Sequence, residues 1–219
     1  MSNSRDENQL RISEIFFSLQ GESRSVGVPT VFIRLTGCPL RCSYCDTSYA
    51  FQGGDWFSID EIVQQVEKYA TRFITVTGGE PLAQKGCLAL LKTLCDLDYA
   101  VSLETSGALD ISAVDKRVSR VVDLKTPASG EMEKNLYGNI EHLSSHDQLK
   151  FVICDLHDYG WAVAQLQQYN LSSRCEVLFS PCAGQLPAVD LANWILADQL
   201  PVRFQLQLHK ILWGDRPGV

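Results

Sequence analysis

The sequence lacks any apolar run that approaches the ~18 residues of a membrane-spanning helix. Its first twenty residues, MSNSRDENQLRISEIFFSLQ, also lack the basic segment and following apolar segment that mark a signal peptide. Positive charge is scarce, since 19 lysine and arginine residues stand against 26 acidic residues and the formal net charge is −7. These absences predict a cytoplasmic protein that binds neither a membrane nor a nucleic acid.

The sequence has neither an internal repeat nor a low-complexity linker, and 219 residues suit one domain, residues 1–219, better than two. Short apolar segments alternate with segments of helical period. Helices are predicted at 58–70, 85–98, 156–168 and 188–198, and strands at 30–35, 73–77, 100–105, 120–125, 148–153, 176–181 and 202–208.

Several predicted strands are almost continuous Val, Ile, Leu or Phe, which is typical of parallel strands covered on both faces by helices. Helices are fewer than strands, and a complete eight-fold barrel usually needs about 250 residues. The pattern therefore predicts an α/β protein, an incomplete TIM-type (β/α) barrel with about six or seven mostly parallel strands. The polar, glycine-containing segment 126–145 predicts a long loop or lid.

Three of the eight cysteines, Cys38, Cys42 and Cys45, form the pattern C-x3-C-x2-C, and no second closely spaced pair exists. In a cytoplasmic protein such cysteines indicate metal or cluster ligands rather than disulfides. Three thiolates on one loop favour an iron–sulfur cluster with one open coordination position. A structural zinc site with a distant fourth ligand is the alternative. Cys87 and Cys95, like Cys154, lie in apolar stretches that predict buried thiols.

The cysteine spacing, with Tyr44 directly before the third cysteine, resembles the signature of the radical S-adenosyl-L-methionine (SAM) superfamily. The segment TGGEP at 77–81 resembles the superfamily's SAM-contacting segment, and its two glycines permit close backbone approach. The resemblance implies a 4Fe–4S cluster whose open iron is chelated by SAM. One-electron cleavage of SAM would then give a 5′-deoxyadenosyl radical.

The segments FSLQGES, GVPTVFIRLTGCPLRCSYCDT, LETSG, DLKTP and QLQLHKILW together resemble the 7-carboxy-7-deazaguanine synthase family, from about residue 12 to residue 213. Members convert 6-carboxy-5,6,7,8-tetrahydropterin into 7-carboxy-7-deazaguanine with loss of ammonia, on the route to queuosine and related bases of tRNA. The resemblance implies a carbon–nitrogen lyase with SAM as cofactor, a homodimer, and an external one-electron donor of the flavodoxin type.

Site residues follow from matches to the family's motifs. The pterin-binding residues are expected to be Leu19, Gln20, Gly21, Glu22, Arg34 and Thr105, and Thr47 is expected to ligate Mg²⁺. The SAM site is expected to use Tyr44, Cys45, Asp46, Gly78, Gly79, Glu80, Gly107, Asp123, Leu124, Lys125, Ser180, Pro181, Cys182 and Ala183. The family often has S-P-K where this chain has D-L-K at 123–125.

An amide and a carboxylate suit a guanine-like ring edge, and a guanidinium suits the substrate carboxylate. The residue types alone also allow a solvated loop at 19–22, an ion pair at Arg34, a turn cap at Thr47 and a rim position for His209. The tail WGDRPGV continues to Gly218 and Val219, beyond a family match through Pro217 that in some members places the terminal carboxylate near the substrate.

Two other functions fit part of the sequence. An enzyme that installs a glycyl radical on a partner protein shares the cysteine triad, although it does not need the LQGE segment at 19–22. A non-catalytic zinc or iron–sulfur module would have four protein ligands and no affinity for SAM.

Overall fold

The computed structural model describes residues 8–214 together with residues 216 and 218. Pro217 and Val219, on which the expectation about the terminal carboxylate depends, lie outside these residues. No helix in the described part of the chain is both long and apolar enough to cross a membrane.

One sheet organises the described residues. Its strands are β1 (Gln9–Leu19), β2 (Pro29–Leu35), β3 (Asp55–Ser58), β4 (Phe73–Gly78), β5 (Ala100–Thr105), β6 (Ser119–Asp123), β7 (Gln148–Ile153), β8 (Glu176–Pro181) and β9 (Arg203–Phe204). The helices are α1 (Ile59–Val66), α2 (Cys87–Asp96), α3 (Leu156–Gln168), α4 (Ala188–Ala197) and α5 (Leu208–Trp213). The strand order is β3-β1-β2-β4-β5-β6-β7-β8-β9.

The predicted α/β class and mostly parallel sheet are confirmed, but the predicted count of six or seven strands is wrong. From β2 to β9 each neighbouring pair is parallel. The two additional strands, β1 and β3, pair antiparallel at one edge of the sheet. Leu10 and Ile12 of β1 alternate with Arg11 and Ser13, and this two-residue period is the signal that could have identified the strand.

The last predicted strand, 202–208, is mostly not a strand. β9 ends at Phe204, and the Gln205 N–H still donates to the Phe179 carbonyl before the chain leaves the sheet. The Leu208 N–H then donates to the Gly21 carbonyl at the start of α5. This contact with a distant loop, rather than local propensity, redirects the chain across the carboxyl ends of the strands.

Helix α1 begins as predicted and ends early. Ser58 and Glu61 form the predicted capping box, which satisfies backbone N–H groups at the helix start. Beyond Val66 the backbone continues in three-residue turns rather than the predicted helix to residue 70, since the Tyr69 N–H donates to the Val66 carbonyl. Ile59, Ile62 and Val66 are buried against the sheet. Removal of each side chain from water stabilises the fold by about 1.5–3 kcal/mol.

The segment 126–145 is a long connection, as predicted, built from three 3₁₀ turns at Pro127–Ser129, Met132–Lys134 and Tyr137–His142. Asn135 exchanges two hydrogen bonds with the backbone of Lys125. The Asn139 amide donates to the carbonyls of Gly107 and Leu109. These amides fix the connection to the loops that follow β5 and β6, where parallel strands present their carboxyl ends.

Candidate active site

A cavity of about 440 Å³ lies at the carboxyl ends of the parallel strands. All but three of the predicted site residues line it. Those that do are Leu19, Gln20, Gly21, Glu22, Arg34, Cys38, Cys42, Tyr44, Cys45, Asp46, Thr47, Gly78, Gly79, Thr105, Asp123, Lys125, Ser180, Pro181, Cys182 and Ala183.

The three predicted residues that do not line the cavity are Glu80, Gly107 and Leu124. The Leu124 side chain belongs to the hydrophobic core. Gly107 has a positive φ of 73°, and its carbonyl accepts from the Leu136 N–H, so it shapes the loop after β5.

Glu80 is fully buried and bonded to protein groups. Its carboxyl oxygens accept from the Leu82 N–H, the Thr105 hydroxyl, and both the N–H and the hydroxyl of Ser106. Glu80 therefore joins the ends of β4 and β5 beneath the cavity, a role that sequence reasoning did not identify.

The three clustered cysteines differ from the other five. Cys38, Cys42 and Cys45 are partly exposed on the cavity wall, whereas the remaining cysteines, including the predicted Cys87, Cys95 and Cys154, are buried. Burial raises the pKa of the Cys38 and Cys42 thiols and so favours their protonated form, an effect that binding of a metal opposes.

The loop that carries the cysteines is held by the long connection 126–145. The Ser43 N–H and hydroxyl donate to the carbonyls of Ser129 and Ala128 at 3.0 and 2.7 Å. The Arg41 N–H donates to the Glu131 carboxylate. The segment thus positions the cysteine loop in addition to connecting two strands.

The two glycines at the end of β4 allow this loop to approach. A Cβ on Gly78 would lie 2.2 Å from the Leu35 carbonyl oxygen, and a Cβ on Gly79 would lie 2.2 Å from the Gly37 carbonyl oxygen and 2.9 Å from Cys38 Cβ. Any side chain here would displace the backbone that carries the first cysteine. The predicted close approach therefore involves the protein's own cysteine loop.

The cavity wall fits the cluster and SAM that the cysteine pattern implies. Three thiols converge on one cavity, which leaves a fourth cluster position for a ligand. Oδ1 of Asp123, on the same wall, is buried and has no hydrogen-bond partner among the described residues. An acceptor of this kind suits a hydroxyl or amine donor of a bound ligand.

A second group of polar residues surrounds Glu22. Lys150 Nζ lies 2.8 Å from Oε2 of Glu22, and the Gln207 amide donates to Oε1 at 2.7 Å. Burial alone would raise the pKa of Glu22, but the Lys150 charge and these hydrogen bonds outweigh burial and lower it. Glu22 is therefore an ionised acceptor in the cavity wall.

Gln20 is buried, and its amide is occupied by protein partners. Its Nε2 donates to Thr75 Oγ1 and Glu104 Oε1, and its Oε1 accepts from the Glu22 N–H. Glu104 also accepts from the Thr77 hydroxyl. Burial and the neighbouring Glu22 charge raise the pKa of Glu104. The Lys150 and Arg34 charges and the Thr77 hydrogen bond lower it, but by less.

Sequence reasoning missed both Glu104 and Lys150 as cavity residues. Each is the one charged residue of its predicted strand, AVSLET or QLKFVI, and this charge is the signal that could have identified them. His209 also lines the cavity, and burial lowers its pKa.

Arg34 forms an ion pair and also faces the cavity. Its Nε donates to Glu14 at 2.7 Å, and its guanidinium lies over the Phe16 ring. Among the described residues, only Nε of this guanidinium is hydrogen-bonded. Thr47 Oγ1 lies 3.9 Å from Cys45 Sγ, so the predicted magnesium ligand adjoins the third cysteine.

The parallel open sheet and the three-cysteine loop beside its first parallel strand define a radical SAM protein. The Radical SAM superfamily model matches residues 32–144. Along its length the chain is 44% identical to the 7-carboxy-7-deazaguanine synthase of Chlorobaculum tepidum, over 97% of this chain and 99% of that relative. It is 42% identical to the synthase of Koribacter versatilis, over 93% of this chain and 97% of that relative.

Among solved structures, the fold is similar to QueE from Escherichia coli, with a TM-score of 0.75, 22% identity, and coverage of 92% of this chain and 95% of that chain. The chain belongs to the 7-carboxy-7-deazaguanine synthase family of the radical SAM superfamily. The family assignment made from the sequence motifs is confirmed, and membership of the superfamily implies a 4Fe–4S cluster and SAM.

Proposed function

We propose that this protein is a 7-carboxy-7-deazaguanine synthase that converts 6-carboxy-5,6,7,8-tetrahydropterin into 7-carboxy-7-deazaguanine with release of ammonia, a carbon–nitrogen lyase. The observation that carries the proposal is one cavity that joins the three clustered cysteines to a pair of carboxyl groups, those of buried Glu22 and partly buried Glu104. When bound, the cluster and SAM supply the one-electron cleavage that starts the reaction.

The residues of this chain divide the cavity between two ligands. Cys38, Cys42 and Cys45 hold the cluster, and residues of the cysteine loop and of the ends of β4, β6 and β8 contact SAM. These are Tyr44, Cys45, Asp46, Gly78, Gly79, Asp123, Lys125, Ser180, Pro181, Cys182 and Ala183.

The pterin lies against the segment that follows β1. A guanine-like ring edge presents N–H donors, and Glu22 and Glu104 offer carboxyl oxygens to accept them. The terminal nitrogens of the Arg34 guanidinium have no hydrogen-bond partner among the described residues, and they suit the substrate carboxylate. Thr47 supplies one hard oxygen to Mg²⁺, whose remaining ligands are water and substrate oxygens.

The reacting atoms must be shielded from water. The chain after β9 crosses the cavity, and Gln207, His209 and Lys210 line it. Lys210 pairs with Asp46 at 3.0 Å, which ties α5 to the cysteine loop. This arrangement limits solvent access to the bound ligands, as reactive intermediates require.

The test is an anaerobic turnover assay. The reconstituted protein is supplied with SAM, dithionite, Mg²⁺ and 6-carboxy-5,6,7,8-tetrahydropterin, and products are identified by mass spectrometry, with Cys42→Ala as control. We expect 7-carboxy-7-deazaguanine from the wild type and none from the variant. Cleavage of SAM with the pterin unchanged would contradict the proposed substrate. No SAM cleavage by a reducible cluster would contradict the enzyme assignment itself.

We also propose that residues 1–219 form a single domain, which is supported by the continuous nine-stranded sheet of the described residues.

A further inference from the structure

Four charged side chains form an alternating row across the cavity wall. Lys125 Nζ lies 2.9 Å from Oδ2 of Asp123, the same oxygen lies 3.8 Å from Lys150 Nζ, and Lys150 Nζ lies 2.8 Å from Oε2 of Glu22. Each side chain is only 10–14% exposed. The row runs from the loop after β6, across β7, to the segment after β1.

Glu22 depends on this row for its charge. The groups that face it are Lys150 from β7, Gln207 directly before α5, His209 in α5, and Glu104 from β5. Burial and the Glu104 carboxyl both oppose ionisation of Glu22, and Gln207 is neutral. Lys150 provides the largest opposing effect, and the neighbouring carboxylates raise its own pKa, so it stays cationic.

We propose that Lys150 is a positioning residue, anchored by Asp123, that holds the Glu22 carboxylate ionised and oriented to accept the N–H donors of the ligand's guanine-like edge. The inference rests on the proposed function and deepens it, because it assigns recognition of the ring edge to an ion pair between residues 128 positions apart. Lys150 acts through Glu22, and another residue binds the ligand's carboxylate.

A direct contact between Lys150 and the ligand's carboxylate is the competing role. The two roles separate with two ligands, 7-carboxy-7-deazaguanine and 7-deazaguanine, which share the guanine-like edge but differ in the carboxylate. Loss of a positioning residue weakens the binding of both ligands by the same factor. Loss of a carboxylate contact weakens only the binding of 7-carboxy-7-deazaguanine.

The experiment measures equilibrium binding of both ligands to the anaerobic, cluster-loaded protein, for wild type, Lys150→Met and Glu22→Gln, across about pH 6 to 9. Affinities are compared with wild type at each pH, which cancels titration of the ligand. We expect Lys150→Met to bind both ligands about tenfold more weakly near pH 6, with recovery as pH rises, because uncompensated burial raises the pKa of Glu22. Glu22→Gln should be weaker at every pH with no such recovery.

Two further variants keep the outcome interpretable. Lys150→Arg retains the charge and should keep the flat pH profile of the wild type, even where Lys150→Met folds poorly. Lys92→Met removes an exposed lysine paired with Asp96 and should leave binding unchanged. Thermal unfolding of each variant verifies the fold.

Three results would overturn the inference while leaving the proposed function intact. These are wild-type-like binding by Lys150→Met, a loss restricted to 7-carboxy-7-deazaguanine, and a pH-dependent loss in Lys150→Arg. If the wild type binds neither ligand, the proposed function fails, and the inference fails with it. Wild-type binding therefore distinguishes the two failures.

Discussion

The Thr105 hydroxyl donates a hydrogen bond of 2.9 Å to the Glu80 carboxyl group. Thr105 ends β5, and Glu80 lies just after the end of β4. Both residues belong to motifs that predict ligand contacts. The structure joins them to each other, and of the two only Thr105 reaches the cavity. The buried Glu80 carboxyl group therefore holds in place the segment that carries Gly78 and Gly79.

The Glu80→Gln variant should lower the free energy of unfolding by about 2 kcal/mol, because an amide NH₂ would face donors that now reach a carboxyl oxygen. Glu61→Gln, in the exposed capping box of α1, is the matched control and should lose much less, because water can satisfy the exposed groups. Urea denaturation measures both values. Equal losses in the two variants would contradict the role assigned to Glu80.

Iron content should distinguish the two kinds of cysteine. We expect Cys38→Ser to lose the cluster after reconstitution, because the cysteine loop carries only three thiols and Cys182, the other cysteine that lines the cavity, is buried. Cys95→Ser, in the buried face of α2, should retain it. Iron analysis and visible absorbance provide the measurement, and zinc in place of iron in the wild type would favour the structural metal site.

Arg34 should recognise the carboxylate of the ligand. Arg34→Met is expected to weaken binding of 7-carboxy-7-deazaguanine about tenfold or more, since a charged hydrogen-bond donor is lost, and to leave 7-deazaguanine within about threefold. Lys150→Met, in contrast, is expected to weaken binding of both ligands by the same factor. Equal losses for both ligands would instead mean that Arg34 acts only through its ion pair with Glu14.

Thr47 should control the response to magnesium. Thr47→Val keeps the shape of the side chain but removes the hydroxyl, so turnover should require about tenfold more Mg²⁺. Thr47→Ser retains the oxygen and should resemble the wild type. The Thr47 hydroxyl makes no capping hydrogen bond to the following turn but donates to Asp46 Oδ1. Magnesium titrations of product formation measure the difference, and an unchanged Mg²⁺ requirement in Thr47→Val would contradict the role as a ligand.

The buried pair between Arg120 and Asp147 should make stability depend on acid pH. Burial opposes ionisation of Asp147, but hydrogen bonds from Arg120 and Ser144 lower its pKa below the usual value. The stabilisation is therefore complete above the unfolded-state pKa, and it is lost as pH falls through the lower folded-state pKa.

We expect Asp147→Asn to cost about 3 kcal/mol at pH 7, because the buried Arg120 guanidinium loses its partner. The difference from wild type should shrink below about pH 4. Chemical denaturation at neutral and acid pH measures both free energies. A difference that stays constant as the pH falls through this range would show that Asp147 stabilises the fold without its charge.

Local sequence patterns were sufficient to predict most elements. The buried strands are nearly continuous apolar runs, and Ser58 with Glu61 marks the start of α1 through neighbouring groups. The three cysteines and the paired glycines likewise act over a few residues, so the sequence alone indicates their chemistry. The antiparallel strands β1 and β3 were not predicted, because their alternating, partly polar segments lack the continuous apolar runs of the parallel strands.

The sequence by itself determined the parallel α/β fold, the cluster-binding loop and the family, because each depends on residue types at short spacing. Only the tertiary structure decided which predicted residues face ligands and which face each other. Glu80 reaches Ser106, and Glu22 reaches Lys150, across 26 and 128 positions of the chain. Such pairs form near the carboxyl ends of the parallel strands, and burial there makes the charges of Glu22 and Lys150 depend on each other.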